Sequence, residues 1–154
     1  PDLFSDDPGT LARAQRIAER TWEFSQFLVD GLGITDLGAR FDGKIAYHAS
    51  CHLTRMLGIT HPPRVLLSHV RGAQLVDLPG YDECCGFGGL FAVKMSEISS
   101  AMLARKLRNI DRSGADIVIT CDVSCMTQIN GGLHRSGMPQ RAYHLAQFLA
   151  EHRT

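Results

Sequence analysis

Residues 82–89, Asp-Glu-Cys-Cys-Gly-Phe-Gly-Gly, set two thiols side by side and follow them with three glycines in four positions. Three further cysteines, Cys51, Cys121 and Cys125, stand apart from this pair in the chain. Thiolates are soft donors suited to zinc, copper(I) or iron–sulfur clusters, and they also carry redox chemistry. A mononuclear zinc site usually draws on cysteines two to four residues apart. Adjacent cysteines send their side chains in diverging directions, so a single small ion is an awkward target for both. An object with several metal atoms accepts them from two sides. Glycines directly afterwards, here Gly86, Gly88 and Gly89, let backbone amides face the sulfurs of such a group with no side chain in the way. The plain alternatives are that a cysteine is a small buried hydrophobe, or that the pair forms a strained vicinal disulfide.

His48 and His52 flank Cys51. Either can hydrogen-bond a cluster sulfur or move a proton, with capping or packing as the alternative for each. Cys125 falls near an expected helix start, where the dipole favours a thiolate. Asp82 and Glu83 suit a solvated turn. Lys94 stands out of register for a P-loop, GFGGLF departs from G-x-G-x-x-G, and no serine–histidine–acid set shows in the spacing.

The elements that must position these residues alternate between strand and helix. Asp7 caps a helix opening at Pro8, and apolar residues at three- and four-residue steps carry it to Gly31 and Gly33. A strand follows in FDGKIAYHAS, leading into Cys51. Leu53 to Leu57 is expected to be a short helix closed by Gly58, and Pro62-Pro63 opens another through Val70. Gln74 to Leu78 forms a second strand, broken by PGYDE. Ser96 starts a helix ended by Gly114, and Asp116 to Thr120 suits a strand buried on both faces. A helix from Ser124 or Cys125 carries Gly131-Gly132, explained by close packing against the sheet. Arg141 to Tyr143 makes a last strand and His144 to Glu151 a closing helix. The fold class is therefore α/β, a three-layer arrangement with a short parallel sheet flanked by helices. Ligands in such folds collect beyond the carboxyl ends of the strands, and every cysteine falls just after a strand.

With 16 basic and 16 acidic residues the formal charge is zero, which gives no electrostatic case for nucleic acid. No apolar run approaches the roughly 20 residues of a transmembrane segment, and no signal peptide is visible. Five cysteines, two of them adjacent, do not suit a secreted disulfide framework, so a cytoplasmic location is expected. Association with the inner face of a membrane would then come through partners. The chain opens on proline with a helix signal close behind, and we expect a fragment or a processed chain.

Three stretches, YHASCHL, LPGYDECCGFGGLFAVKMSEIS and ITCDVSCMTQINGGL, resemble the CCG domain, a cysteine-rich domain of iron–sulfur oxidoreductase subunits. The likeness covers nearly the whole chain and is greatest to the second CCG domain of the lactate utilisation protein A family. The iron–sulfur subunit of glycolate oxidase and the cysteine-rich subunit of heterodisulfide reductase are related. The resemblance implies a cysteine-ligated iron–sulfur cluster, of [4Fe–4S] type, that passes electrons. Carried over position by position, Cys51, Cys84, Cys85 and Cys125 are the ligands, with Gly86, Gly88, Gly89 and His52 around the cluster. The family pattern often ends C-x-x-C, whereas Asp122 stands here where the penultimate cysteine falls. Cys121 is then either an offset extra ligand or a strand-end residue, and the second reading is preferred.

Because the family usually carries two such domains in tandem, residues 1–154 are expected to be one CCG domain, the C-terminal half of a longer protein. The implied partners are the missing N-terminal CCG domain and other oxidoreductase subunits, and the isolated domain is expected to hold its cluster poorly. The implied function is electron transfer within a multi-subunit oxidoreductase acting on a small 2-hydroxy acid, lactate or glycolate. Two other readings remain. One is a catalytic disulfide-reducing site of the heterodisulfide reductase type, which would want the penultimate cysteine. The other is a zinc-stabilised interaction module.

Overall fold

The computed structural model describes residues 2–153. Helix α1 (Pro8–Ala18) starts where Asp7 accepts hydrogen bonds from the Gly9 and Thr10 amides. The expected run to Gly31 is broken. Glu23 takes a second capping position, its carboxylate accepting from the Ser25 and Gln26 amides, and opens α2 (Phe24–Gln26). That helix runs on into a wider π-helical turn over Phe27–Gly31. A side-chain cap can restart a helix inside a periodic apolar pattern, and periodicity alone does not reveal it.

Strand β1 (Arg40–His48) ends just before Cys51, from which a short π-helical segment, His52–Met56, departs. Helix α3 (Pro62–Ser68) returns the chain to β2 (Arg71–Val76), which begins and ends earlier than expected and leaves Leu78 beyond the strand, in the core. Helix α4 (Leu90–Lys94) lies in a stretch where no helix was expected. Helix α5 (Ser96–Ser113) ends on Gly114, whose φ of +65° is the left-handed conformation that stops a helix. Strand β3 (Ile117–Thr120), helix α6 (Val123–Arg135), strand β4 (Arg141–His144) and helix α7 (Leu145–Glu151) complete the described chain.

The four strands form one all-parallel sheet in the order β2-β1-β3-β4. Side chains alternate across a strand, and here the alternation decides what meets what. Ile45, Tyr47, Ile117 and Ile119 point to one face and pack with Leu66, Leu67, Leu145 and Phe148 from the α3 and α7 side. Ala46, Val118 and Ala142 point to the other and pack with Leu103, Leu107, Ile129 and Leu133 of α5 and α6. The result is the expected α/β three-layer arrangement. No helix among the described residues is long and apolar enough to cross a membrane.

Two contacts lock α5, α6 and β4 together. Asn130 donates to the Ala142 carbonyl (2.9 Å) and accepts from its amide (2.8 Å), so one side chain occupies both backbone groups of the edge strand. Gly132 gives close packing as expected, but its neighbour is a helix and not the sheet. A Cβ there would lie 3.0 Å from Leu103 and Leu107 of α5.

Candidate metal centre

The parallel sheet delivers Cys51, Cys84-Cys85 and Cys121 to one rim, because each follows the carboxyl end of a strand. Cys125 joins them from the first turn of α6. Face then separates them. Cys121 continues the odd-numbered series of β3, Ile117 and Ile119, and packs on the α3/α7 core. Cys85 and Cys125 are buried in the α5/α6 core.

Cys85 and Cys125 approach to 3.1 Å between their Sγ atoms. The Cys85 thiol is held well below its ordinary range, first by the hydrogen bond it shares with Cys125 and then, against the cost of burial, by the Phe87 amide. Cys125 is pushed up, first by the same bond and then by burial. The short contact between the two sulfurs thus ties their protonation together. His48 is the third member: one ring nitrogen and the two sulfurs lie within 4.8 Å of one another. Its Nδ1 lies 3.1 Å from the Tyr81 carbonyl, and its Nε2 is buried with no hydrogen-bond partner.

Cys51 and Cys84 are partly buried and interact with each other at the outer side of this group. Burial is the main cause that raises the Cys84 thiol, opposed by the Gly86 amide, which lies 3.4 Å from the Cys84 sulfur. The field of Cys51 also reaches Cys125. The vicinal pair therefore diverges as its covalent geometry requires, with Cys85 turning inward to Cys125 and His48 and Cys84 outward to Cys51. Among the described residues the inner trio is the group within reach of a single ion, and Cys51 and Cys84 lie outside it.

The glycines do more than make room for amides. Gly86 has φ +87°, and a Cβ would lie 2.5 Å from the Ser99 carbonyl, so the loop is pressed against α5. Ser99 Oγ donates to the Gly86 carbonyl at 2.6 Å and fixes that contact. Gly88, at φ +53°, is packed against Phe91 of α4, and Gly89 ends the loop in open space.

His52 lies away from the sulfur trio. Its Nδ1 is 3.3 Å from Asp122 Oδ2, and its side chain is 61% exposed, which makes it a rim residue. Asp122 Oδ1 meanwhile caps α6, accepting from the Ser124 (2.8 Å) and Cys125 (3.2 Å) amides. Asp122 is thus a carboxylate committed to holding Cys125 at the helix start.

Lys106 was not singled out in the sequence. It is 1% exposed and donates from Nζ to the Gly80 carbonyl, behind the cysteine loop. Burial lowers its pKa, against the opposing fields of Glu83 and the Cys85 thiol. The signal was present, since Lys106 falls on the apolar stripe of Leu103, Leu107 and Ile110, where a lysine needs a reason. Cys121 faces Tyr47, and its thiol is pushed up to about 12, chiefly by burial and secondly by the charge of Glu23.

Comparison with known proteins agrees with this geometry. Residues 45–130, from the middle of β1 through most of α6, match the family model described as CCG, cysteine-rich domain. The chain is similar to lactate utilization protein A of Lysinibacillus sphaericus, at 44% identity over 97% of this chain and 65% of the relative. The protein of the same name from Anoxybacillus flavithermus is 46% identical over 97% of this chain and 63% of the relative. That of Macrococcus caseolyticus is 48% identical over 97% and 61%. The chain thus spans a little under two thirds of the length of these relatives. The matched residues include all five cysteines, the glycine loop and both helices that close the site, and on that ground the chain belongs to the CCG cysteine-rich domain family.

Proposed function

We propose that this chain binds an iron–sulfur cluster through Cys51, Cys84, Cys85 and Cys125 and serves electron transfer in lactate utilisation. The single observation that carries the reading is the split of the vicinal pair. Cys85 faces Cys125 and His48 while Cys84 faces Cys51, so four thiols address one volume from two sides. The donor set fits such a group on two further counts. Four thiols are the ligand count of a [4Fe–4S] cluster, and the Gly86 and Phe87 amides already face the sulfurs of Cys84 and Cys85. A bound cluster supplies one-electron transfer; the chain's own contribution is to hold, shield and charge-balance it. The α5/α6 core keeps water from Cys85 and Cys125, and Lys106 sets a buried cation behind them.

The substrate side of the reading rests on the relatives named for lactate utilisation. We take the chain as one CCG domain, the C-terminal half of a two-domain protein, working with other oxidoreductase subunits on a small 2-hydroxy acid. Within that assembly it is an electron carrier and not the site of hydroxy-acid oxidation. A cytoplasmic location follows from the free thiols this chemistry needs.

One observation favours a second reading. Because His48, Cys85 and Cys125 alone lie within reach of a single ion, a zinc-stabilised module is the alternative. Anaerobic reconstitution with iron and sulfide, followed by iron, acid-labile sulfide and zinc counts and an EPR spectrum, separates the two. A brown protein with near-equal iron and sulfide and a paramagnetic signal supports the cluster. A colourless protein holding one zinc and no sulfide overturns it.

A further inference from the structure

The four-thiol reading leaves the most deeply buried donor at the site without a role. His48 is 1% exposed and lies on the α5/α6 face, opposite to its neighbour Tyr47. Its Nδ1 lies 3.1 Å from the Tyr81 carbonyl, which also accepts the Ala49 amide at 2.9 Å. A carbonyl oxygen has no proton to give, so Nδ1 carries the hydrogen and donates it. In the neutral ring Nε2 then bears the lone pair. That nitrogen is buried and has no hydrogen-bond partner, and the His48 ring has a nitrogen within 4.8 Å of the sulfurs of Cys85 and Cys125. A histidine anchored through one nitrogen to a backbone carbonyl, with the other free and facing thiolates, is oriented as metal-binding histidines are.

The neighbouring candidates are already engaged. Asp122 spends one carboxylate oxygen on the α6 cap and the other on His52, and His52 is turned to Asp122. Cys121 packs on the other face of the sheet.

We propose that His48 Nε2 is a metal ligand beside Cys85 and Cys125. It adds a neutral nitrogen donor to the four thiols. The inference rests on the iron–sulfur reading above. A neutral imidazole in place of a thiolate leaves the metal group one unit less negative, so a cysteine at this position should lower the reduction potential.

The test is pulsed EPR on the purified protein with ¹⁵N-labelled histidine, reconstituted anaerobically with iron and sulfide and compared with His48→Cys and His48→Phe. The expected result is a strongly coupled ¹⁵N nucleus in the unsubstituted protein that disappears in both variants, with iron retained and the potential lowered in His48→Cys. Normal iron and sulfide content with no strongly coupled ¹⁵N overturns the ligand role and leaves the cluster reading standing. Failure of the full-length, two-domain protein to take up iron and sulfide removes both. The unsubstituted spectrum decides the ligand question even where His48→Phe fails to fold.

Discussion

Cys121 and Cys125 stand four residues apart at the end of the same strand, yet they live in different chemical worlds. Cys121 keeps the parity of Ile117 and Ile119 and meets the α3/α7 core, where Tyr47 faces it and burial holds its thiol protonated. Cys125 has entered α6, where the helical turn carries it to the opposite side of the sheet, against Cys85. Identical side chains are thus assigned by strand parity and helix phase, and their spacing in sequence is a poor guide to shared use. The first environment isolates one thiol from other donors, and the second gathers thiols, an unpaired imidazole nitrogen and a buried ammonium group.

Reactivity offers the sharpest contrast. With its pKa near 12, Cys121 should carry about one thiolate in ten thousand at pH 8. Alkylation by iodoacetamide should then run about a thousandfold slower than at a free cysteine, as peptide mapping over time can measure. Labelling at the ordinary rate would mean that the Tyr47 pocket is open. As pH rises toward 12 the rate should climb about tenfold per unit.

The next largest effect concerns the loop that aims Cys84 and Cys85. In Gly86→Ala a side chain must adopt φ +87° and displace the Ser99 carbonyl, which should cost about 3 kcal/mol in urea unfolding. The same change at Gly89, which has open space around it but sits at φ +56° and ψ −114°, outside the left-handed helical region, meets backbone strain alone and should cost about 2 kcal/mol. Equal losses would mean that packing on α5 does not fix the loop. Asp122→Ala removes the α6 cap and should lower stability by about 1 kcal/mol while loosening the position of Cys125. The smallest effect belongs to Cys121→Val, a near-isosteric change on the apolar face, expected within about 1 kcal/mol of the unsubstituted protein.

The fold was open to sequence reasoning because its signals are local and agree with one another. Asp7-Pro8 opens α1, Gly114 ends α5, and the continuous apolar run at Ile117–Ile119 marks a strand covered on both faces. What escaped was decided by local features that periodicity does not register, or by tertiary contact. The Glu23 cap interrupts a periodic stripe that by itself reads as one helix. Helix α4 is too short for periodicity to register. At the site, the approach of three strand ends to one rim followed from α/β topology, but the choice between flanking histidines did not. His48 ends β1 with its ring buried, and His52 lies a few residues on, in the first turn of a new segment that faces solvent. Only the burial and the Tyr81 carbonyl distinguish them, and both come from residues distant in the chain.

The most direct test of the central claim is iron and sulfide content after anaerobic reconstitution of Cys85→Ser and Cys121→Ser, side by side with the unsubstituted protein. The account expects Cys85→Ser to lose nearly all of its iron and sulfide and Cys121→Ser to keep most of both. Equal losses from the two variants would contradict it, since they would put Cys121 among the ligands and remove the division between the two faces of the sheet.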